Sequence, residues 1–190
     1  MMWWWMLACG GAVSIEQGPP MQGVEIVAGV EREALVLTLA GAWLDDDGSG
    51  HGTDAAAVLP GPPELKIEGE RSTWSMAEGT FVFEESVKAT RGPVTLYCDK
   101  LDVDYVDDRV QEARAQGNVR VVRGDRVATA LEALLTVADG RLVLEGEAVL
   151  EEGPHRLTGD RVILWLDQDR ASCEGCVLSV AGEAVAPTEP

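Results

Sequence analysis

Residues Ala115–Gly140 read AQGNVRVVRGDRVATALEALLTVADG, and residues Leu144–Asp169 read LEGEAVLEEGPHRLTGDRVILWLDQD. Each stretch runs from an alternating apolar/polar segment through a glycine turn into a second such segment, then into another turn. Alternation at period two over five to eight residues, bounded by Gly and Asp, marks half-buried strands. The glycine turns fall at Gly92, Gly124, Gly153 and Gly182, spaced 32, 29 and 29. A second set of turns places arginine at Arg109, Arg141 and Arg170, spaced 32 and 29, in the contexts DDR, DGR and QDR. Two independent markers keep one register, and the three extra residues of the first unit lie in VQEARAQ. A fixed period near 30 means stacked units, each a bent hairpin unable to bury its own apolar face.

From Glu64 onward the chain reads as β throughout. The segment ATALEALLTV (Ala128–Val137) has a helix-favouring composition. Its odd positions, Thr129, Leu131, Ala133, Leu135 and Val137, share one face at period two, so it is assigned as a strand. The fold class expected is all-β, a stacked antiparallel jellyroll or solenoid. Inward positions from the alternation are Val94, Leu96, Leu101, Val103, Val119, Val121, Val127, Leu135, Leu142, Leu144, Leu150, Leu157, Val162 and Leu164. Their parity slips between Leu96 and Leu101, which predicts a corner or bulge there.

The 190 residues, 46% of them hydrophobic, are enough for one ordinary core and too apolar for a disordered chain. Net charge is −18. Between Ser86 and Arg170 there are 12 Lys/Arg against 16 Asp/Glu, a net of −4, so the flanks carry −14. A nucleic-acid backbone would be repelled, and nucleic acid is not expected as a partner. The acidic surface favours solubility.

Four segments are expected: a short signal or lipobox-like segment (1–9), a tether with N-terminal strands and an acidic loop (10–60), the repeating β domain (61–182) and a tail (183–190). Residues 10–23 are Gly/Pro-rich and read as the tether. DDDGSGHGTD (Asp45–Asp54) reads as a flexible acidic loop. Its carboxylates lack the alternating spacing and closing glutamate of a calcium loop. LPGPP (Leu59–Pro63) is a hard break, because consecutive prolines donate nothing to a ladder. Leu7-Ala8-Cys9-Gly10 resembles the end of a bacterial lipoprotein signal, with Cys9 the lipidation candidate, although no basic residue precedes the apolar run. Export from the cytoplasm follows, and with it a setting that permits a Cys173–Cys176 disulfide. On a straight strand positions three apart face opposite sides, so that bond requires a turn at Gly175. One Cys-x-x-Cys and two distant histidines do not make a zinc site. No metal or cofactor is expected.

GNVRVVRGDRVATALEALLTVADGRLVLEGEAVLEEGPHRLTGDRVILWLDQDRASCEGC is similar to the OstA-like domain of the lipopolysaccharide-transport proteins LptA and LptC. The shared phrases stand here as Gly117-Asn118-Val119, Leu144–Leu150 and Leu157–Leu164, and the likeness spans about residues 64–180. The resemblance implies a taco-like jellyroll with an open apolar groove that holds the acyl chains of lipopolysaccharide in the periplasm. It also implies joining to like domains through edge strands, expected near Glu64–Glu70 and Cys176–Val180. Membrane attachment would come from the N-terminal segment, at the inner or outer membrane. The fourteen inward residues are then groove candidates, and Arg120, Arg123 and Arg126 headgroup candidates. Catalysis is not expected: there is no Gly-x-Ser-x-Gly, no phosphate loop and no Cys–His pair at useful spacing. The alternative from a different class is a structural or protein-binding β-solenoid with a closed core and no lipid cargo.

Overall fold

The computed structural model describes residues 19–28, 34–60, 63–107, 109–168 and 170–180. Cys9, Gly182, and the 1–9 and 183–190 segments lie outside the described residues. Twelve strands form one unclosed antiparallel sheet. In chain order they are β1 (Met21–Ala28), β2 (Leu35–Leu44), β3 (Gly50–Leu59), β4 (Leu65–Ser75), β5 (Thr80–Arg91), β6 (Val94–Val106), β7 (Arg109–Arg123), β8 (Arg126–Thr136), β9 (Arg141–Glu152), β10 (His155–Trp165), β11 (Arg170–Glu174) and β12 (Val177–Val180). Each strand from β1 to β11 pairs with the next, and β11 and β12 share one side of β10.

The sheet is creased. On β5, β7 and β9 an extra residue interrupts the ladder, and two consecutive residues there take positive φ: Glu85-Ser86 (64°, 54°), Gly117-Asn118 (73°, 47°) and Gly146-Glu147 (76°, 53°). Each pair begins seven residues before the turn glycines Gly92, Gly124 and Gly153. The crease therefore repeats with the same period as the turns. Gly175 (φ 63°) continues it 29 residues beyond Gly146. Opposite each bulge, the even-numbered strands turn two consecutive residues outward: Glu70-Arg71 on β4, Asp99-Lys100 on β6, Leu131-Glu132 on β8 and Asp160-Arg161 on β10. An extra residue in one strand bends it and locally raises its twist. A row of such bends folds the sheet into two facing leaves.

The leaves enclose one apolar core. Phe81, Phe83, Leu37, Leu39, Leu144 and Val162 are fully buried in it. Tyr105, on the second leaf, packs edge-to-face on Phe81 with ring centroids 6.0 Å apart. Its hydroxyl donates to the Ala28 carbonyl at the far end of β1, 2.9 Å away. The parity slip of β6 is the crease, where the register shifts between Tyr97 and Lys100.

Several expectations change. The tether ends by Met21, where β1 begins, and β1–β3 continue the same sheet. The acidic loop is only a tight turn at Asp45–Ser49, and Gly50–Asp54 belong to β3. Asp47 organises that turn: its carboxylate accepts from the Ser49 amide (2.9 Å) and hydroxyl, and these bonds hold its pKa below the usual value. The glycines of β3 serve packing: a Cβ on Gly50 would stand 2.6 Å from the Trp74 ring, and one on Gly52 2.8 Å from Leu39. Close approach is the usual reason for glycine inside a strand. The expected edge at Glu64–Glu70 is interior, because β4 pairs with β3 on one side and β5 on the other. Among the described residues the edges are β1 and the β11/β12 strand.

Cys173 and Cys176 form a disulfide with Cα atoms 5.9 Å apart, and Gly175 between them supplies the left-handed turn. The bond straddles the break between β11 and β12. It lies over Gly159, whose missing Cβ would sit 2.5 Å from one sulfur and 2.8 Å from the other. Cys98 is a buried free thiol at the crease. Burial first, and the neighbouring Asp99 charge second, push its pKa up to about 12.

Candidate functional site

Residues directly opposite one another in an antiparallel pair present their side chains to the same face. The register therefore draws apolar rows across the inner surface. On the first leaf, Ile67, Ala89, Leu96, Val121, Ala128, Leu150 and Leu157 are successive cross-strand partners from β4 to β10. On the second leaf, Val103, Ala113, Leu135, Leu142 and Leu164 form a matching row from β6 to β10. The leaves meet fully near the crease and stand apart toward the strand ends.

Between them lies a chamber of about 380 Å³, within the roughly 300–1,000 Å³ typical of small-molecule sites. Leu96, Leu101, Val103, Val121, Leu135 and Leu142 line its apolar floor. At its mouth, Pro63, Arg91 and Pro93 form one rim, and Arg109, Gly140 and Asp167 the other. A second chamber of about 210 Å³ lies toward the C-terminal edge, lined by Leu150, Leu164 and Ala171 with Arg126, Glu152 and Arg170. Val94, Val121 and Leu166 belong to both.

Most inward candidates point inward, but they do not form one surface. Val94, Leu96, Leu101, Val103, Val121, Leu135 and Leu142 wall the large chamber, and Leu150 and Leu164 the small one. Val119, Leu144 and Val162 are packed in the core, at 1%, 0% and 0% exposure, outside both chamber walls. Leu157 faces inward at the C-terminal end, paired with Leu178 of β12. Val127 is a correction. The inward residues of β8 before the crease are Ala128 and Ala130, so Val127 and Thr129 face out. Leu131 is likewise turned out at the crease, 52% exposed.

The headgroup candidates separate in the same way. Arg120 lies on the outer face, its guanidinium 5.9 Å from the ring centroid of its cross-strand partner Tyr97, so it is removed from the groove mouth. Arg126 is at the rim, paired with Glu152 at 2.8 Å. Arg123, last residue of β7, reaches across the mouth and donates from Nη1 to the Leu166 carbonyl on the other rim, at 3.0 Å. The sequence reading passed over Arg91, Arg109 and Arg170 as site residues. Arg109 and Arg170 serve there only as turn markers, yet each opens a strand directly after its turn, and each lines a chamber. Arg170 covers the Trp165 ring, 3.8 Å from its centroid. Among the described residues, no group of His, Cys, Asp or Glu is placed to hold a metal. No helix among them is long and apolar enough to cross a membrane.

The family described as LptA/(LptD N-terminal domain) LPS transport protein matches residues 66–170, slightly more than half of the chain. Among solved structures, that of LptH, "the LptA homologous periplasmic component of the conserved lipopolysaccharide transport device from Pseudomonas aeruginosa", is similar with a TM-score of 0.54 and 13% identity. The match covers 66% of this chain and 88% of that one. At that identity the likeness concerns the fold, an open, creased all-β sheet. No curated protein matches.

Proposed function

This chain belongs to the LptA/LptD N-terminal-domain family of lipopolysaccharide-transport proteins, and from that premise we propose that it is a periplasmic carrier holding acyl chains between its two leaves. The observation that carries this is the large chamber, apolar on its floor and bounded at its mouth by the exposed Pro93, Arg109 and Asp167. A closed-core scaffold would have no such opening.

Charge does not favour the complex at long range. The chain carries −18 and lipopolysaccharide is anionic, although salt screens exposed charges beyond about 8 Å. Burial dominates instead. An acyl chain of about a dozen methylenes contributes roughly 10 kcal/mol gross at ~0.8 per CH₂, against about 0–1 for an exposed ion pair. The rim arginines then orient a headgroup rather than supply the affinity.

The two edges, β1 and β11/β12, leave ladder groups with no strand beyond them among the described residues, which is the setting for pairing with another chain. We assign them the bridging contacts with like domains. Anchoring through a lipidated Cys9 belongs to the same proposal. Labelling with a radioactive fatty acid, with and without Cys9→Ser, tests it.

The decisive experiment offers the purified full chain a photo-crosslinkable lipopolysaccharide. Crosslinks on Leu96, Leu135 or Leu142 are expected. A folded β protein that takes up no lipid, while proximity crosslinks from either edge reach other proteins, would replace the carrier by the scaffold.

A further inference from the structure

Among the described residues, two side-chain hydrogen bonds cross the mouth between the leaves. At the N-terminal end Tyr105 Oη donates to the Ala28 carbonyl and is buried. Toward the C-terminal end Arg123 Nη1 donates to the Leu166 carbonyl and is only partly buried. The large chamber opens between these ties. Its boundary with the small chamber is where Arg123 stands, because Val121 and Leu166 wall both and Arg123 itself walls the small one. Leu166 is in turn held by its amide, which donates to the Gly140 carbonyl at 2.8 Å, so the tie reaches the β8–β9 turn as well.

From this arrangement, and resting on the carrier reading above, we infer that Arg123 is a strap that holds the rims together between the chambers and limits the length of acyl chain the large chamber accepts. With the strap in place a chain entering the large chamber stops beneath the guanidinium. With it released, the apolar rows run on past Leu150 and Leu164 toward the C-terminal edge. The role is mechanical: it needs a donor of the right reach, and it acts on an uncharged chain as well as on an anionic one.

The test uses the full chain with spin labels on Asp125→Cys and Gln168→Cys, exposed turn residues on opposite rims. With Cys9→Ser made in the same chain, Cys98 buried and Cys173 and Cys176 bonded, the labels go to the new thiols. Arg123→Ala should lengthen and broaden the inter-label distance, and Arg123→Lys should restore much of it. Binding of primary alkanols of increasing length supplies the second readout. Affinity should rise about fourfold per added methylene and then level off, and in Arg123→Ala the levelling should come at a longer chain. An unchanged distance distribution, or the same levelling point in both proteins, overturns the strap. If neither protein binds any alkanol, the carrier reading fails, and the distance measurement alone decides whether Arg123 ties the rims.

Discussion

Gly117 and Asp99 meet across the crease with no room between them: a Cβ on Gly117 would stand 2.4 Å from Asp99 Oδ2. The same carboxylate accepts from the Asn118 side-chain amide at 2.7 Å. Gly146 faces Leu131 and Gly175 faces Asp160 in the same relationship one and two units later. The crease is therefore built by a left-handed residue lying against the residue opposite the bulge.

Gly117→Ala should destabilise the fold by about 1–3 kcal/mol, through the positive φ and the displaced carboxylate together. Gly124→Ala makes the contrast. Its φ is also positive, at 62°, but open space surrounds it, so only the backbone cost of about 1 kcal/mol applies. Urea unfolding midpoints of the two variants should rank in that order.

Gly159→Ala should prevent the Cys173–Cys176 disulfide, since the new methyl would stand 2.5 and 2.8 Å from the two sulfurs. Thiol titration of the unfolded protein should rise from one free thiol per chain to three among the described cysteines. The loop closed by this bond is short, so its loss removes only roughly 2 kcal/mol by loop-closure arithmetic. The domain should stay folded by circular dichroism.

Cys98 gives a stability contribution that depends on pH. Its folded pKa is raised to about 12, so the unfolded thiol ionises first as pH climbs. The stability tied to the neutral thiol is fully present below about pH 9 and is lost as pH rises toward 12. Cys98→Ala should be less stable than the parent at pH 7, from the lost packing. The gap should narrow steadily above pH 9 in denaturant titrations. A gap that stays constant would mean that the thiol is not shielded.

Leu135→Asp places a charge in the wall of the large chamber and should cut binding of an alkyl probe by at least about tenfold, one step of 1.4 kcal/mol. Tyr97→Asp, on the outer face, should leave that binding unchanged. Equal losses from both would place the probe outside the chamber.

Much of this was legible in the sequence because turns and strands announce themselves locally. Gly92, Gly124 and Gly153 needed glycine for positive φ, and their spacing carried the repeat. The crease has the same spacing but hides it, because its first member is Glu85-Ser86 and its third pairs Gly146 with Glu147. Unlike Gly or Asn, a Glu or Ser in a left-handed conformation leaves no compositional mark. That concealment misplaced Val127 and Leu131, since two outward residues at the crease reverse the parity of β8 halfway along. The first half of β3, Gly50–Asp54, reads as a loop for a different reason: Gly50 and Gly52 yield space to Trp74 and Leu39.

The rim arginines show a different limit. Arg120, Arg123 and Arg126 lie close in sequence, yet the first faces outward beside Tyr97, the second bridges the rims and the third pairs with Glu152. Strand parity separates Arg120 from Arg123. Only the closure of one leaf over the other, which joins β7 to the turn after β10, gives Arg123 a partner 43 residues away.

Because the crease and the turns share one period, the molecule has a natural increment: two strands and one bulge, in 29 or 32 residues. A duplicated or deleted increment leaves the remaining ladders in register and alters only how far the trough extends. The distance such a protein spans is in this sense counted out in hairpins, and can be changed by whole steps without redesigning the interior.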